Sequence, residues 1–454
     1  MNDFLKSAAK VVPNQKQLDW FDVEQYAFIH FGVNTFTNQE WGNGTEDEGV
    51  FDPKSLDCDQ WVAAIKSAGL KGMILTAKHH DGFCLWPSKY TEHSVKNSPC
   101  DRDVVKEASD ACRRGGIKFG FYLSPWDRNS KYYGTPEYND YFCNQLTELL
   151  TGYGDIFMVW FDNACGEGPN GKKQEYDFKR YFELIRKFQP NAVIFNDFGP
   201  DIRWCGNEAG KARDAEWAVV PTDRFHYAES QTGSGPRSQE GNLEFLRNSD
   251  AIIGDMSQIM YAKGLAFVPA EIDTSIRKGW FWHKTEEPKS LQKLFNIYLN
   301  SVGNNACLNL NVPPNTDGLI DERDVERLKE YGMLISEIFS SPIDYTISVD
   351  DTYESQPEYT LKLGKLVKDI RYVILREDIE HGQRVESFKI YAKNNGASYP
   401  LYQGRCIGNK KICCLVDPFA DQNPLLRSWY DTNELVIKVT SSRGKVNMKA
   451  IAVY

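Results

Sequence analysis

The residues best suited to chemistry in this chain follow short apolar runs. Asp162 ends the run 156–161, and three of the seven histidines, His30, His79 and His80, follow two earlier runs. Parallel strands in α/β barrels bring the residues that follow them to one edge of the sheet, where the catalytic groups lie. A single Asp after a strand is more often a helix cap, but four polar residues at one edge favour a functional site.

Aromatic residues accompany these polar side chains. Trp41 follows Glu40 in the loop after the first run, Trp86 lies beyond the second, and Tyr122 and Trp126 bracket the third. Aromatic residues make up 13% of the chain. Sugars have hydroxyls that accept hydrogen bonds from polar side chains, and they have apolar faces that pack on aromatic rings. The combination indicates a monosaccharide pocket.

A metal site at this edge is disfavoured. His79 and His80 are adjacent, and adjacent side chains on an extended segment point in opposite directions. No carboxylate–histidine spacing typical of a metal site completes a set of ligands around them. We expect neither a metal nor a cofactor.

Glycoside hydrolysis would need a second carboxyl group besides Asp162, because one group attacks the sugar and another protonates the departing oxygen. The stretch 198–253 is rich in Gly, Asp and Arg and lacks periodicity, which predicts long loops. The residue pattern does not choose among the candidates in this stretch and directly before it, which are Asp197, Asp201, Glu208, Asp214 and Glu216.

The elements that must position these residues alternate between strand and helix. This alternation predicts an α/β fold with a (β/α)8-like TIM barrel, followed by a C-terminal antiparallel β-sandwich. Strands are predicted at 26–33, 72–78, 118–124, 156–161 and 192–196, with closing strands at 265–269 and 306–312. Helices are predicted at 58–68, 103–114, 141–153, 176–188, 290–301 and 322–338.

The composition changes near Pro342. Beyond it, apolar and polar residues alternate by twos, which is typical of antiparallel strands with one solvated face. We therefore predict a catalytic barrel at 1–341 and a sandwich of about 110 residues at 342–454.

Charge and hydropathy exclude two classes of partner. The chain has 454 residues, a net charge of −10 and no Lys/Arg-rich run, so nucleic acid is not expected. No apolar stretch is long enough to span a membrane. The first residues lack the apolar core of a signal peptide. We expect a periplasmic or secreted protein if a leader has been removed, and a cytoplasmic one otherwise; the oligomeric state stays open.

Several motifs together resemble the family-29 glycoside hydrolases, the α-L-fucosidases. The motifs span the predicted barrel, and their order along the chain fits the family. They are His30-Phe31-Gly32, Glu40-Trp41, the HHDGF segment 79–83, Trp86-Pro87-Ser88, Trp160-Phe161-Asp162, 270–277, 279–283 and 310–318.

This resemblance implies a retaining exo-fucosidase with Asp162 as the nucleophile. The segment 199–217 is similar to a subgroup that prefers α1,3- and α1,4-linked fucose on branched glycans, and there the resemblance implies that Glu208 is the acid/base. Cys205 replaces a valine of the usual subgroup pattern. The expected substrates are fucosylated oligosaccharides or glycoconjugates.

We expect the fucose to be held by polar side chains and covered by tryptophans. Arg203 is expected to contact a sugar oxygen or to steady Glu208. The polar set is His30, Glu40, His79, His80 and Tyr122, and the aromatic set is Trp41, Trp86, Trp126 and one of Trp280 or Trp282. Two alternatives are a glycosidase for another deoxy or axial sugar and a glycan-binding protein without catalysis.

Overall fold

A computed structural model of the chain describes residues 7–223, 253–394, 396–415 and 431–454. Its first ten strands are β1 (Gln25–Ile29), β2 (Gly72–Lys78), β3 (Lys118–Leu123), β4 (Met158–Trp160), β5 (Val193–Phe195), β6 (Arg203–Trp204), β7 (Val219–Pro221), β8 (Leu265–Phe267), β9 (Ala270–Ser275) and β10 (Cys307–Asn311).

Eight of these strands form a parallel sheet in the order β5-β4-β3-β2-β1-β10-β9-β6. A bridge between Phe195 and Ile202 brings the two ends of the sheet together, so the sheet curls into a barrel. Every residue of β1 and β2 is buried, because side chains fill the lumen on one face and helices cover the other. The predicted TIM barrel is confirmed.

Helices surround the barrel, and most begin at a side chain that caps free backbone N–H groups. Asp57 caps one start by accepting from Asp59 N and Gln60 N, and Asp103 caps the next by accepting from Lys106 N. The helices are α1 (Gln15–Val23), α2 (Val33–Thr37), α3 (Cys58–Ser67), α4 (Val104–Gly115), α5 (Glu137–Gly152), α6 (Phe178–Phe188), α7 (Met256–Ile259), α8 (Leu291–Asn300) and α9 (Glu322–Phe339).

One predicted strand was assigned wrongly. The apolar run 265–269 was expected to close the barrel, but β8 pairs antiparallel with β7, with Val219 opposite Phe267. The barrel strand is instead β9, which pairs with β10 and β6. The apolar run 265–269 packs in this small two-stranded sheet. Its hydrophobicity predicted a buried strand but not the strand with which it pairs.

The C-terminal region is an antiparallel sandwich, as predicted. One sheet has the order β11-β12-β17-β14-β15 and the other β16-β13-β18. On β14 Phe388, Ile390 and Ala392 are buried while the residues between them are partly exposed. The strands are β11 (Tyr345–Asp350), β12 (Glu358–Val367), β13 (Tyr372–Glu377), β14 (Val385–Asn394), β15 (Ala397–Arg405), β16 (Lys411–Cys414), β17 (Thr432–Ser442) and β18 (Met448–Val453). No helix in the described ranges is long and apolar enough to cross a membrane.

Candidate active site

A cavity of about 290 Å³ opens at the carboxyl edge of the barrel strands. This volume lies near the lower end of small-molecule pockets, which suits one sugar ring. Eight predicted site residues line it: His30, Trp41, His79, His80, Tyr122, Asp162, Glu208 and Trp280. Phe28, Trp160, Asn163, Ala164, Asp197, Trp204 and Asp273 line it as well. None of these described lining residues is Lys or Arg and four carry carboxyl groups, so the cavity disfavours an anionic ligand.

Asp162 follows β4 and accepts hydrogen bonds from two groups. Its Oδ1 accepts from the backbone N–H of Ala164 at 2.7 Å, and its Oδ2 accepts from the Tyr122 hydroxyl at 3.1 Å. His80 Nε2 lies 3.7 Å from Oδ2. The Asp162 side chain is 28% exposed, so one part of the carboxylate remains open to the cavity. Burial and the neighbouring Asp162 raise the pKa of Tyr122 well above its usual value, which keeps its hydroxyl a donor.

The three histidines of the cavity are buried and neutral. Burial lowers the pKa of His30 to about 3, and its Nδ1 lies 2.8 Å from the Asn311 amide oxygen. Burial also lowers the pKa of His79 and, against the opposing effect of Asp162, that of His80. A neutral imidazole offers one donor and one acceptor, which matches a sugar hydroxyl.

Two of these rings have their orientation fixed by partners. The amide oxygen of Asn311 only accepts, so it takes the Nδ1 proton of His30 and leaves Nε2 as an acceptor. His80 Nδ1 lies 2.7 Å from Ser124 Oγ, and that hydroxyl donates to the Trp126 carbonyl. Nδ1 of His79 has no hydrogen-bond partner among the described residues.

The candidates for the second carboxyl group differ in whether they line the cavity. Glu208 is exposed on the turn after β6, lines the cavity, and accepts from Trp280 Nε1 at 3.3 Å. Asp197 also lines the cavity. Asp201 does not: both its oxygens accept from Arg186 at 2.7 Å. Neither Asp214 nor Glu216 is among the lining residues.

Arg203 lies elsewhere than expected. It is fully buried, pairs with Glu216 and donates to the Trp217 carbonyl at 3.1 Å. A guanidinium is costly to bury unless it is paired, and Glu216 provides that partner. Arg203 therefore does not line the cavity and pairs with Glu216 instead of Glu208. The prediction that it contacts a sugar oxygen or steadies Glu208 is wrong.

The predicted tryptophans occupy different places. Trp41 is 57% exposed at the rim of the cavity, with its ring at 5.9 Å from those of His80 and Trp126. Trp126 packs behind it and donates from Nε1 to the Glu167 carbonyl at 3.0 Å. Trp86 is buried away from the cavity, where its Nε1 donates to Glu148 at 2.8 Å. The prediction that Trp86 contacts the sugar is therefore wrong.

The alternative between Trp280 and Trp282 is resolved by position. Trp280 lines the cavity, and its ring centroid is 5.1 Å from that of His30. Trp282 donates to Asp321 at 3.1 Å and does not line the cavity. Glu40 supports this loop rather than the cavity wall, because its Oε2 accepts from the backbone N–H of Trp280 at 2.8 Å.

Asp273 is a third carboxyl group in the cavity wall, which the sequence pattern did not single out. It is 4% exposed, and Oδ1 accepts from Trp204 Nε1 at 2.9 Å. Burial, with Glu271 and Glu208 nearby, raises its pKa well above the usual value. The spacing of Glu271 and Asp273, two residues apart, would place both on one face of a strand, and this is the signal that could have revealed them.

Glu271 does not line the cavity but bonds to Trp160, which does. Burial raises its pKa to about 7. It accepts from Trp160 Nε1 at 2.8 Å and from the Tyr26 hydroxyl. These bonds fix the Trp160 indole, which forms part of the cavity wall close to Asp162. No group of three metal-ligating side chains lies within the described parts of the chain.

Comparisons with known proteins agree with this geometry. A family model described as Alpha-L-fucosidase matches residues 6–337. The chain is 40% identical over 434 residues to Alpha-L-fucosidase 1 of Arabidopsis thaliana, and the alignment covers 88% of this chain and 81% of that protein. It is 31% identical over 423 residues to the plasma alpha-L-fucosidase of Homo sapiens, covering 80% of each.

Solved structures share the fold across both regions. A glycoside hydrolase 29 family member from a rumen bacterium is 37% identical, with a TM-score of 0.84, covering 98% of this chain and 77% of that one. A Ruminococcus gnavus GH29 fucosidase in complex with fucose is 30% identical, with a TM-score of 0.82, covering 98% of this chain and 95% of that one.

Proposed function

Because the chain belongs to the alpha-L-fucosidase family of glycoside hydrolases, we propose that it is a retaining exo-α-L-fucosidase acting on α1,3- or α1,4-linked L-fucose at the ends of branched glycans. One observation carries this proposal: Asp162 and Glu208 line the same cavity, whose size suits a single sugar ring. The fucose bound to the Ruminococcus gnavus relative supports the choice of sugar.

Asp162 is the proposed nucleophile. One of its oxygens attacks the anomeric carbon, the bond to the departing sugar breaks, and a fucosyl ester forms. The hydrogen bonds from Tyr122 and from the backbone of Ala164 support this role, because they orient the carboxylate before the attack.

Glu208 is the proposed acid/base. It gives its proton to the departing glycosidic oxygen, and in the second step it takes a proton from the water that attacks the anomeric carbon. That attack breaks the ester, releases fucose and restores the Asp162 carboxylate. Its place in the cavity wall supports this assignment over Asp201, Asp214 and Glu216, none of which lines the cavity.

Neutral donors and acceptors are proposed to hold the fucose. His30 and His80 each present Nε2 to a sugar hydroxyl as an acceptor, because their Nδ1 protons go to Asn311 and Ser124. His79 can give one hydrogen bond and accept another, and the Tyr122 hydroxyl, whose proton goes to Asp162, adds an acceptor. Trp280 and Trp41 would cover the apolar side of the ring. A pocket that accommodates one ring and opens at Trp41 favours terminal fucose over residues inside a glycan chain.

The linkage preference rests on the similarity of 199–217 to the branched-glycan subgroup. Trp41 and the turn that bears Glu208 are both exposed at the mouth of the cavity, where a neighbouring sugar of a branched glycan would lie. Substrates are accordingly proposed to be fucosylated oligosaccharides or glycoconjugates.

The retaining path is tested by the anomer released first. We expect proton NMR during hydrolysis of an aryl α-L-fucoside to detect α-L-fucose before mutarotation. Release of β-L-fucose would show inversion and would exclude a mechanism through the fucosyl ester. The matching aryl galactoside serves as the comparison substrate, since faster turnover of it would favour a glycosidase for another sugar. Fucoside binding without turnover of either would favour a glycan-binding protein.

A further inference from the structure

The segment 205–218, called here the acid loop, joins β6 to β7 and carries Glu208 near its exposed turn. A loop of this length has many conformations, and ordering it costs conformational free energy. The Glu208 carboxylate accepts a hydrogen bond from Trp280, at 3.3 Å. Because Glu208 lies on this loop, the position of its carboxylate also depends on how the two ends of the acid loop are held.

A buried ionic cluster closes the acid loop on itself. Glu216 lies between Arg203 and Arg213, and all three are buried. Burial alone would raise the pKa of Glu216, but the two arginines lower it below the usual value. Arg213 also donates to the Cys205 carbonyl at 2.7 Å, which ties the start of the loop to its end.

The C-terminal sandwich holds the same end of the loop. Gln383 Oε1 accepts from the backbone N–H of Ala218 at 2.9 Å. The Cys406 thiol donates to the Glu216 carbonyl at 3.2 Å, and Gln383 Nε2 lies 2.7 Å from its sulfur. All four residues are buried, so these bonds do not compete with bulk water.

Two further sandwich side chains reach the acid loop. Lys411 donates to the Asp214 carbonyl at 3.2 Å and to Asn304 at 2.6 Å. The Arg443 guanidinium stacks on the Trp217 ring at 3.5 Å from its centroid, which is close for a cation–π contact. The sandwich thus contacts the loop at Asp214 and at 216–218, on the C-terminal side of Glu208.

Asp162 is held differently. Tyr122 and Ala164, which orient its carboxylate, belong to the barrel or to the loops that follow its strands. We propose that the C-terminal sandwich is a positioning element for Glu208, acting through Gln383, Cys406 and Lys411 on the acid loop. This inference rests on the proposed acid/base role of Glu208.

The expected effect is a loss of proton transfer rather than of sugar binding. A misplacement of about 1 Å can cost on the order of 10²-fold in rate. Loosening the loop should therefore lower kcat on a natural glycan, whose sugar alcohol leaves poorly without protonation. The first step on an activated aryl fucoside should be nearly unchanged, because its leaving group needs little protonation.

Two variants test the proposal, each with a matched control on the exposed surface of the sandwich. Gln383→Leu removes both hydrogen bonds of the amide, and Gln403→Leu on β15 is its control. Lys411→Met keeps an unbranched side chain of similar size without the ammonium group, and Lys365→Met on β12 is its control. If Gln383→Leu does not fold, Lys411→Met still decides the outcome.

Hydrogen–deuterium exchange and kinetics are the two readouts. We expect faster exchange in peptides covering 205–218, unchanged exchange in β1 to β4, and an approximately tenfold to hundredfold loss of kcat on the glycan. The same substitutions in a Glu208→Gln background should cause no further loss on the glycan, because the acid they position is already gone.

Exchange at the wild-type rate throughout 205–218 would overturn the proposal, whatever Glu208 does. Equal losses on the glycan and the aryl fucoside, persisting in the Glu208→Gln background, would overturn it too. If Glu208 is not the acid/base, the pattern is different, because Glu208→Gln alone would then slow both substrates equally. The exchange rates would still show whether the sandwich holds the loop.

Discussion

The Tyr122 hydroxyl donates a hydrogen bond to Asp162 Oδ2 across two neighbouring barrel strands, at 3.1 Å. Tyr122 and Trp160 are paired in the β3–β4 register, and Asp162 follows soon after Trp160. The barrel backbone therefore sets both ends of this bond. Asp162 is placed by rigid strands, and its substitution should affect chemistry more than folding.

Asp162→Ala should reduce kcat by several orders of magnitude, because the covalent path is lost. Its side chain is 28% exposed, so no buried cavity is created and thermal unfolding should change little. Added azide should restore part of the rate and give the inverted fucosyl azide, detectable by NMR. Asp155→Ala, an exposed residue just before β4, is the control. Activity of Asp162→Ala within about tenfold of wild type would exclude the role.

Glu208→Gln should separate the two steps of the reaction. The amide keeps the side chain's size and removes its proton chemistry. Turnover of a natural glycan should collapse, whereas an aryl fucoside should give a burst of aryl alcohol as the fucosyl ester accumulates. The basic limb of the pH–rate profile, which reports loss of the acid's proton, should disappear.

Three acidic residues near Glu208 provide the controls. Asp214→Asn changes an exposed carboxylate in the same loop and is the matched control. Asp201→Asn and Glu216→Gln change buried, paired carboxylates, so their folding is checked by thermal unfolding before their kinetics are compared. If Glu208→Gln slows both substrates equally and the basic limb persists, Glu208 is not the proton donor. A burst from one of the three controls would then move the role to that residue.

Lewis-type trisaccharides should be cleaved with a far higher kcat/KM than nitrophenyl fucoside or α1,2-linked fucose. Contacts to the neighbouring galactose lower the barrier only when that branch is present. Initial rates on matched α1,2-, α1,3- and α1,4-linked substrates measure this directly. Comparable kcat/KM values on the α1,2- and α1,4-linked substrates would contradict the linkage assignment.

Asp273 makes the stability of the protein depend on pH. Its pKa in the folded state is raised by burial and by nearby carboxylates, whereas the unfolded chain releases the proton near about pH 4. Between these two values the folded state holds a proton that the unfolded state lacks. Raising the pH through this window therefore lowers the free energy of unfolding.

Asp273→Asn should weaken this pH dependence. The amide oxygen can still accept from Trp204, and no proton is left to titrate. We expect the melting temperature of the variant, relative to that of wild type, to increase as the pH rises from about 4 to about 7. Glu271, whose pKa is about 7, titrates in both proteins and leaves a shared slope. Parallel melting curves for the two proteins across this range would contradict the prediction.

The sequence predicted the early barrel well because its strands are buried on both faces. Apolar runs as short as those before His79 and Asp162, set between helical segments, are typical of buried parallel strands. The closing strand was harder, since β9 carries Glu271 and Asp273 toward the lumen and so lacks a continuous apolar run. The more apolar segment beside it, β8, pairs with a strand that lies outside the barrel.

Residue type predicted the site less well than strand position. The residues at strand ends, His30, His79 and Asp162, line the cavity. Trp86 and Arg203 have side chains that suit a sugar, yet both are buried with protein partners that lie later in the chain. Only the folded chain places Glu148 beside Trp86, so no local pattern could have excluded it.

Asp162 and Glu208 have different supports: Asp162 is held within the barrel, whereas the acid loop is held by barrel residues and by the sandwich as well. Sequence changes in the loop or in its anchors can therefore accumulate without altering the strands around Asp162. In evolutionary terms the nucleophile can stay fixed while the segment facing the departing sugar varies. A barrel built this way can acquire new glycan preferences through substitutions in 205–218 and in the sandwich residues that contact it.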